Sequence, residues 1–348
     1  MVYLMRGVSM VSLVMAARPI GVKWLARSFA VFCIALFAST SCLAAGLASL
    51  NIAATATEPA IKAFVWTPCA QAAGEVTQGP FTLPGVKNCD IAGKNLPLIV
   101  ISHGQGGSRF GHHDTAAALA DAGFVVASFN HPGDSNDDKS ATNQIAIFEA
   151  RPQQVSRVIS YMLEQWPQRS ALDARSVGVF GFSRGGYTAL ALAGGVPSVA
   201  AGSQRFCASW SSVLDPMCWR LKLGDAQLAP KPDPRVKAIV AADPLNLFDA
   251  AGLLNVRIPV QLWASERGGA GVTLAHSQAL KAGLTPTPEW HIAPGAGHFV
   301  FLAPCPEALR KEIEEICEDP KGVDRKAWHA LMNQAVVAFF KKNLPSSV

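Results

Sequence analysis

From residue 96 onward the chain alternates short, largely apolar runs with amphipathic stretches, and this alternation restricts the fold more than any other feature. "LPLIVIS", "FVVASF", "SVGVF", "VKAIVAA", "PVQLWAS" and "EWHIA" read as strands. "HDTAAALADAG", "QQVSRVISYMLEQW" and "GGYTALALAGG" read as helices, the first and last closed by glycines. Strands without a polar face need cover on both sides, so the pattern predicts an α/β fold with a doubly wound, mostly parallel sheet. On such sheets functional groups collect at the carboxyl ends of the strands. "DRKAWHALMNQAVVAFFKKNL" predicts a final amphipathic helix packed on the sheet, and the stretch before about residue 95 reads as variable.

Apolar residues make up 50% of the 348-residue chain and charged residues 16%, which suits one large core and excludes a disordered chain. The net charge of +5 is partly carried by Arg6, Arg18, Lys23 and Arg27. No basic stripe with interleaved aromatics follows, so no nucleic-acid partner is expected.

Those basic residues precede "FAVFCIALFASTSCLAAGLASL", the layout of a secretory signal. The expected division is a signal peptide over 1–45, cleaved near Ala44 or Ala45, and an α/β domain over 46–348; Met15 is an alternative start. Two membrane alternatives stay open. The uncharged stretch 28–57 is long enough to span a bilayer if it is not cleaved, and Cys42 in "STSC" is a candidate lipidation site with a poor motif. Export to the periplasm or the medium also suits the cysteines. Six lie beyond the leader in three neighbouring pairs, giving expected disulfides Cys69–Cys89, Cys207–Cys218 and Cys305–Cys317. Residues 197–234 interrupt the strand-helix rhythm with two cysteines, Trp210, Trp219 and several prolines, and read as a stapled cap-like insertion or a surface excursion.

The chemistry centres on "VGVFGFSRGGYTAL", where Gly181, Ser183 and Gly185 spell G-x-S-x-G between a strand and a helix. Such a turn lifts a serine to the sheet edge, and the glycines leave room for strand and helix to cross. Ser183 needs a base, and that base needs an acid to orient it. His298 in "PGAGHFVFL" follows the last strand and is the expected base. The other histidines are weaker candidates: His291 within a strand, His276 and His329 on helices, His112 and His113 after the first glycine-rich loop. The acid is Asp243 in "AADPLN", with Glu266 in "LWASERGGAG" as the alternative. The oxyanion donors expected are the backbone N–H groups of Gln105 in "SHGQGG" and of Arg184. That leaves the Arg184 side chain for an anionic substrate or an acid in the cap. "HPGDSNDD" (131–138) holds His131, Asp134, Asp137 and Asp138, but reads as a polar loop rather than a metal site.

"LPLIVISHGQGGSRFGHHDTAAALADAGFVVASFNHPGDS", with "GFSRGG", "AADP", "RIPVQLWASE" and "GAGHFVFL", resembles the α/β-hydrolase superfamily over about residues 60–345. Within it the chain is similar to bacterial predicted dienelactone hydrolases and plasma-type platelet-activating factor acetylhydrolases. The resemblance implies a Ser-Asp-His esterase with no cofactor. In the acetylhydrolase pattern the acid takes the earlier position, which here is Asp243. Dienelactone hydrolases proper often use a cysteine where this chain has Ser183, so their substrate is not carried over. The expected function is an exported serine hydrolase of small-molecule or lipid-like carboxylic esters, acting through an acyl-enzyme. An amidase, peptidase or acyltransferase on the same residues, or a non-catalytic hydrolase-like binding protein, are the alternatives.

Overall fold

The computed structural model describes residues 44–207, 216–222 and 228–344. The leader before residue 44, Cys42 and Trp210 lie outside the described residues. Among the described residues ten strands form one sheet: β1 (Ala44–Ile52), β2 (Ile61–Cys69), β3 (Gly74–Gln78), β4 (Phe81–Lys87), β5 (Leu96–Ser102), β6 (Val125–Phe129), β7 (Leu172–Phe182), β8 (Val236–Ala242), β9 (Val260–Ser265) and β10 (Glu289–Ala293). Their order is β10-β9-β8-β7-β5-β6-β2-β1-β4-β3. From β10 to β6 all neighbours are parallel, and β2 and β1 continue the sheet antiparallel. The helices are α1 (His113–Asp121), α2 (Ile147–Glu164), α3 (Arg184–Leu192), α4 (Val199–Phe206), α5 (Pro216–Lys222), α6 (Leu274–Gly283), α7 (Glu307–Arg310), α8 (Glu314–Cys317) and α9 (Arg325–Asn343). Among the described residues no helix is long and apolar enough to cross a membrane.

Successive strand residues point to opposite faces, and the core divides accordingly. Leu98, Val100, Val177, Val179, Ile239 and Ala241 pack with Val155, Ile159 and Met162 of α2, Leu190 of α3 and Leu280 of α6. Their neighbours Ile99, Ile101, Phe180, Ala238 and Val240 pack with Leu119 of α1 and Met332, Val336 and Phe340 of α9. The expected helical cover on both faces is present.

Two features go beyond the sequence reading. The described stretch before residue 95 forms β1 to β4. β1 pairs with β2 along its whole length, Ala44 opposite Cys69 and Ile52 opposite Ile61. α2 begins six residues before the expected "QQVSRV" and contains Pro152. Proline has no N–H for the Phe148 carbonyl one turn back, and the Tyr187 hydroxyl of α3 donates to that carbonyl instead, at 3.2 Å.

The insertion 197–234 supplies α4 and α5. Ser198 N–H donates to Leu247 O at 2.7 Å, and Arg205 Nη1 donates to Asn246 Oδ1 and Phe248 O. α4 therefore sits on the loop that follows β8. Met217, Cys218 and Leu221 of α5 join the core, while Trp219 is exposed. All three disulfides form between the expected partners. Cys69–Cys89 ties the end of β2 to the segment leaving β4 and closes a separation of 20 residues. A loop of that length predicts that the double Cys69→Ala/Cys89→Ala variant loses about 3 kcal/mol, measured by equilibrium urea unfolding.

Candidate active site

The structure brings Ser183, His298 and Asp243 together. Ser183 follows β7 with φ 56° and ψ −117°, a strained backbone held by Ser183 N–H donating to Ala242 O at 2.9 Å and Leu245 N–H donating to Ser183 O at 3.0 Å. The glycines have a steric cause. A Cβ on Gly181 would stand 2.0 Å from Gly185 O, and one on Gly185 would stand 1.9 Å from Ser102 O. Only glycine allows α3 to cross β5 and β7 this closely.

Asp243 follows β8 and is fully buried, again with positive φ (42°). His298 follows β10 and is 2% exposed. Its Nδ1 lies 2.7 Å from Asp243 Oδ2 and its Nε2 lies 3.0 Å from Ser183 Oγ. A carboxylate only accepts, so Nδ1 carries the proton and Nε2 accepts from the serine hydroxyl. Phe182 lies against the imidazole, ring centroids 4.7 Å apart.

The end of β9 holds both partners in place. Ser265 donates twice to the Asp243 carboxylate, from N–H at 3.0 Å and from Oγ at 2.6 Å. Glu266, the alternative acid, is exposed and turned away from His298: its Oε2 accepts from Gly295 N–H at 2.6 Å. Gly268 O accepts from His298 N–H at 2.9 Å. Ser265 escaped the sequence reading because a hydroxyl that orients a carboxylate from a neighbouring strand has no spacing signature.

Below the "SHGQGG" loop lies a buried polar network that sequence did not resolve. Asp134 and Arg151 are 0% exposed and Arg184 is 2% exposed. Asp134 Oδ2 accepts from Arg151 Nη1 at 2.7 Å and from Arg184 Nη1 at 2.9 Å. The Arg184 side chain thus pairs with an acid of the 131–138 loop and is itself buried. The other acids of that loop are engaged as well, Asp137 with Lys62, Asn130 and Ser135, and Asp138 with Gly133 N–H and Ser140. Among the described residues no group of three or more His, Cys, Asp and Glu is arranged for a metal ion.

His103 and His112 pack beneath the site as neutral rings. His103 Nδ1 donates to Gly104 O at 2.6 Å and its Nε2 accepts from His131 N–H at 3.1 Å. Burial lowers its pKa to about 3, with the Arg151 charge adding to the effect. His112 Nδ1 donates to Phe301 O at 3.1 Å, and its ring lies edge-on to Phe180 and Phe182. Burial lowers its pKa to about 4.

The strand order, the serine elbow after β7 and the acid and histidine after later strands decide the architecture. The chain has the α/β-hydrolase fold. The sequence profile of the dienelactone hydrolase family matches residues 89–209, a span that includes β5 through α4. No curated protein sequence matches the chain. Ferulic acid esterase from Streptomyces cinnamoneus is similar in structure, with TM-score 0.61 and 20% identity over 90% of this chain and 93% of that one. Dienelactone hydrolase from Anabaena variabilis gives TM-score 0.47 and 16% identity over 86% and 99%.

The buried histidines set a pH dependence of stability. Each has an ordinary pKa of 6.5 when unfolded and a lower one when folded. Between pH 6.5 and about 4 the unfolded chain therefore binds more protons, and stability present above pH 6.5 is lost as the pH falls. For His112 the loss approaches about 3 kcal/mol by the lower end of that window. Urea unfolding between pH 7 and 4 is expected to show this decline, and a His112→Gln variant a shallower slope.

Proposed function

We propose that the protein is an exported serine hydrolase of carboxylic esters. The observation that carries this reading is the unbroken hydrogen-bond chain Ser183 Oγ, His298 Nε2, His298 Nδ1, Asp243 Oδ2 at a strained serine turn. Both the dienelactone hydrolase profile and the name of the ferulic acid esterase denote cleavage of ester bonds, which supports an ester as the substrate. The three disulfides support folding in an oxidising compartment, as export by the leader would provide.

In this mechanism Ser183 Oγ attacks the acyl carbonyl while His298 Nε2 takes the hydroxyl proton. Asp243 stabilises the imidazolium and is itself fixed by Ser265. Negative charge forms on the carbonyl oxygen and is met by the N–H groups of Gln105 and Arg184, the second belonging to the first turn of α3, where the helix supplies no acceptor. His298 returns the proton to the leaving alcohol, leaving an acyl-enzyme. Water then attacks with His298 as base and frees Ser183. No cofactor enters this scheme.

A fluorophosphonate probe is expected to label the folded protein at Ser183, and Ser183→Ala to abolish hydrolysis of p-nitrophenyl esters. Asp243→Asn is expected to lower kcat by about ten-thousand-fold, because it disturbs the tautomer of His298. Glu266→Gln should stay within a few-fold of wild type. An unlabelled Ser183, or an Asp243→Asn variant of full activity, overturns the reading.

A further inference from the structure

We infer that Arg184 is a positioning residue for the oxyanion loop, acting through its guanidinium on the side chain of Gln105. The inference rests on the proposal above that Gln105 N–H is an oxyanion donor.

The Gln105 side chain stands on the exposed side of its loop, where a long amide would ordinarily sample many rotamers in water. Its Oε1 is instead held by Arg184 Nη2 at 2.7 Å. Arg184 is in turn immobile: Nη1 donates to Asp134 Oδ2 and to Thr142 O, each at 2.9 Å, and the guanidinium lies over the Phe148 ring at 5.3 Å. The same Asp134 fixes the next residue, since its Oδ1 accepts from Gly106 N–H at 3.2 Å. Arg151, the second cation on Asp134, donates to His103 O. The loop is thus pinned before, at and after the peptide whose N–H faces the reacting carbonyl, all by one buried cluster.

A turn with Gly106 at φ 61° has no helix or ladder to fix the aim of that N–H. An oxyanion donor works only when it is aimed before charge develops, so this restraint acts on kcat rather than on substrate binding. The planar fork of arginine reaches Asp134 and Gln105 together. A lysine carries the charge but makes a single compact contact, which separates positioning from simple buried charge.

The test is steady-state hydrolysis of p-nitrophenyl butyrate by wild type, Gln105→Ala, Arg184→Lys, Arg184→Met and the double Gln105→Ala/Arg184→Met. Gln105→Ala, on the exposed side and safe for folding, should lower kcat about tenfold with KM within about twofold. Arg184→Met should lower kcat at least as far, and the double variant no further than Arg184→Met alone, because one pathway is removed twice. Arg184→Lys should not restore the rate. Full kcat in Gln105→Ala, additive losses in the double variant, or recovery by Arg184→Lys overturns the inference. Fluorophosphonate labelling of wild type at Ser183 separates this outcome from failure of the hydrolase reading itself.

Discussion

The contact on which the rest of the site depends is the crossing of α3 over the ends of β5 and β7. At Gly181 and Gly185 the backbones approach so closely that a single added carbon would overlap a carbonyl oxygen. That approach forces Ser183 into its left-handed turn, because the chain must reverse from strand to helix within one residue. Dispersion and burial on both faces of the sheet hold the crossing: α3 is buried throughout, and Tyr187 ties it to α2 at the carbonyl that Pro152 leaves without a donor. A local strain is thus maintained by a large apolar interface.

Around that turn, charge is managed by separation. The side of the histidine is nearly dry and carries one carboxylate, Asp243, satisfied by two donors from Ser265. The side of the 103–107 loop carries two guanidinium groups on one carboxylate, with neutral His103 and His131 filling the remaining polar contacts. Negative charge is therefore concentrated beside His298, and positive charge beneath the 103–107 loop. Burial of each group is tolerated because nearly every polar atom finds a partner.

How much of this is legible in sequence depends on whether the signal is local. β5, β6 and the second half of β7 are nearly continuous apolar runs and β8 to β10 are mostly apolar, and both faces of the sheet can be inferred from them. β1 is not legible, because "AAGLASLNI" continues the small, apolar composition of the leader, and β3 and β4 are short and broken by glycine and proline. Ser183 and His298 stand in recognisable turns. The choice between Asp243 and Glu266 needs geometry: the two carboxylates follow adjacent strands, and only their hydrogen bonds separate them. Asp134 looks like one polar residue of a polar loop, yet its partners Arg151 and Arg184 lie 17 and 50 residues away. No spacing rule connects them.

The antiparallel pairing of β1 with β2 has a consequence for the order of assembly. The two strands are joined by residues 53–60 and pair in simple register, so they form a local hairpin with little loop-closure entropy to overcome. Its partner β6 comes 55 or more residues later in the chain, and the contacts His298–Asp243 and His298–Ser183 close separations of 55 and 115 residues. A chain threading outward from its N-terminus would hold a formed hairpin with an open edge until β6 arrives. The serine-histidine contact, which needs β10 in place, closes at the end of that sequence and so reports a completed fold.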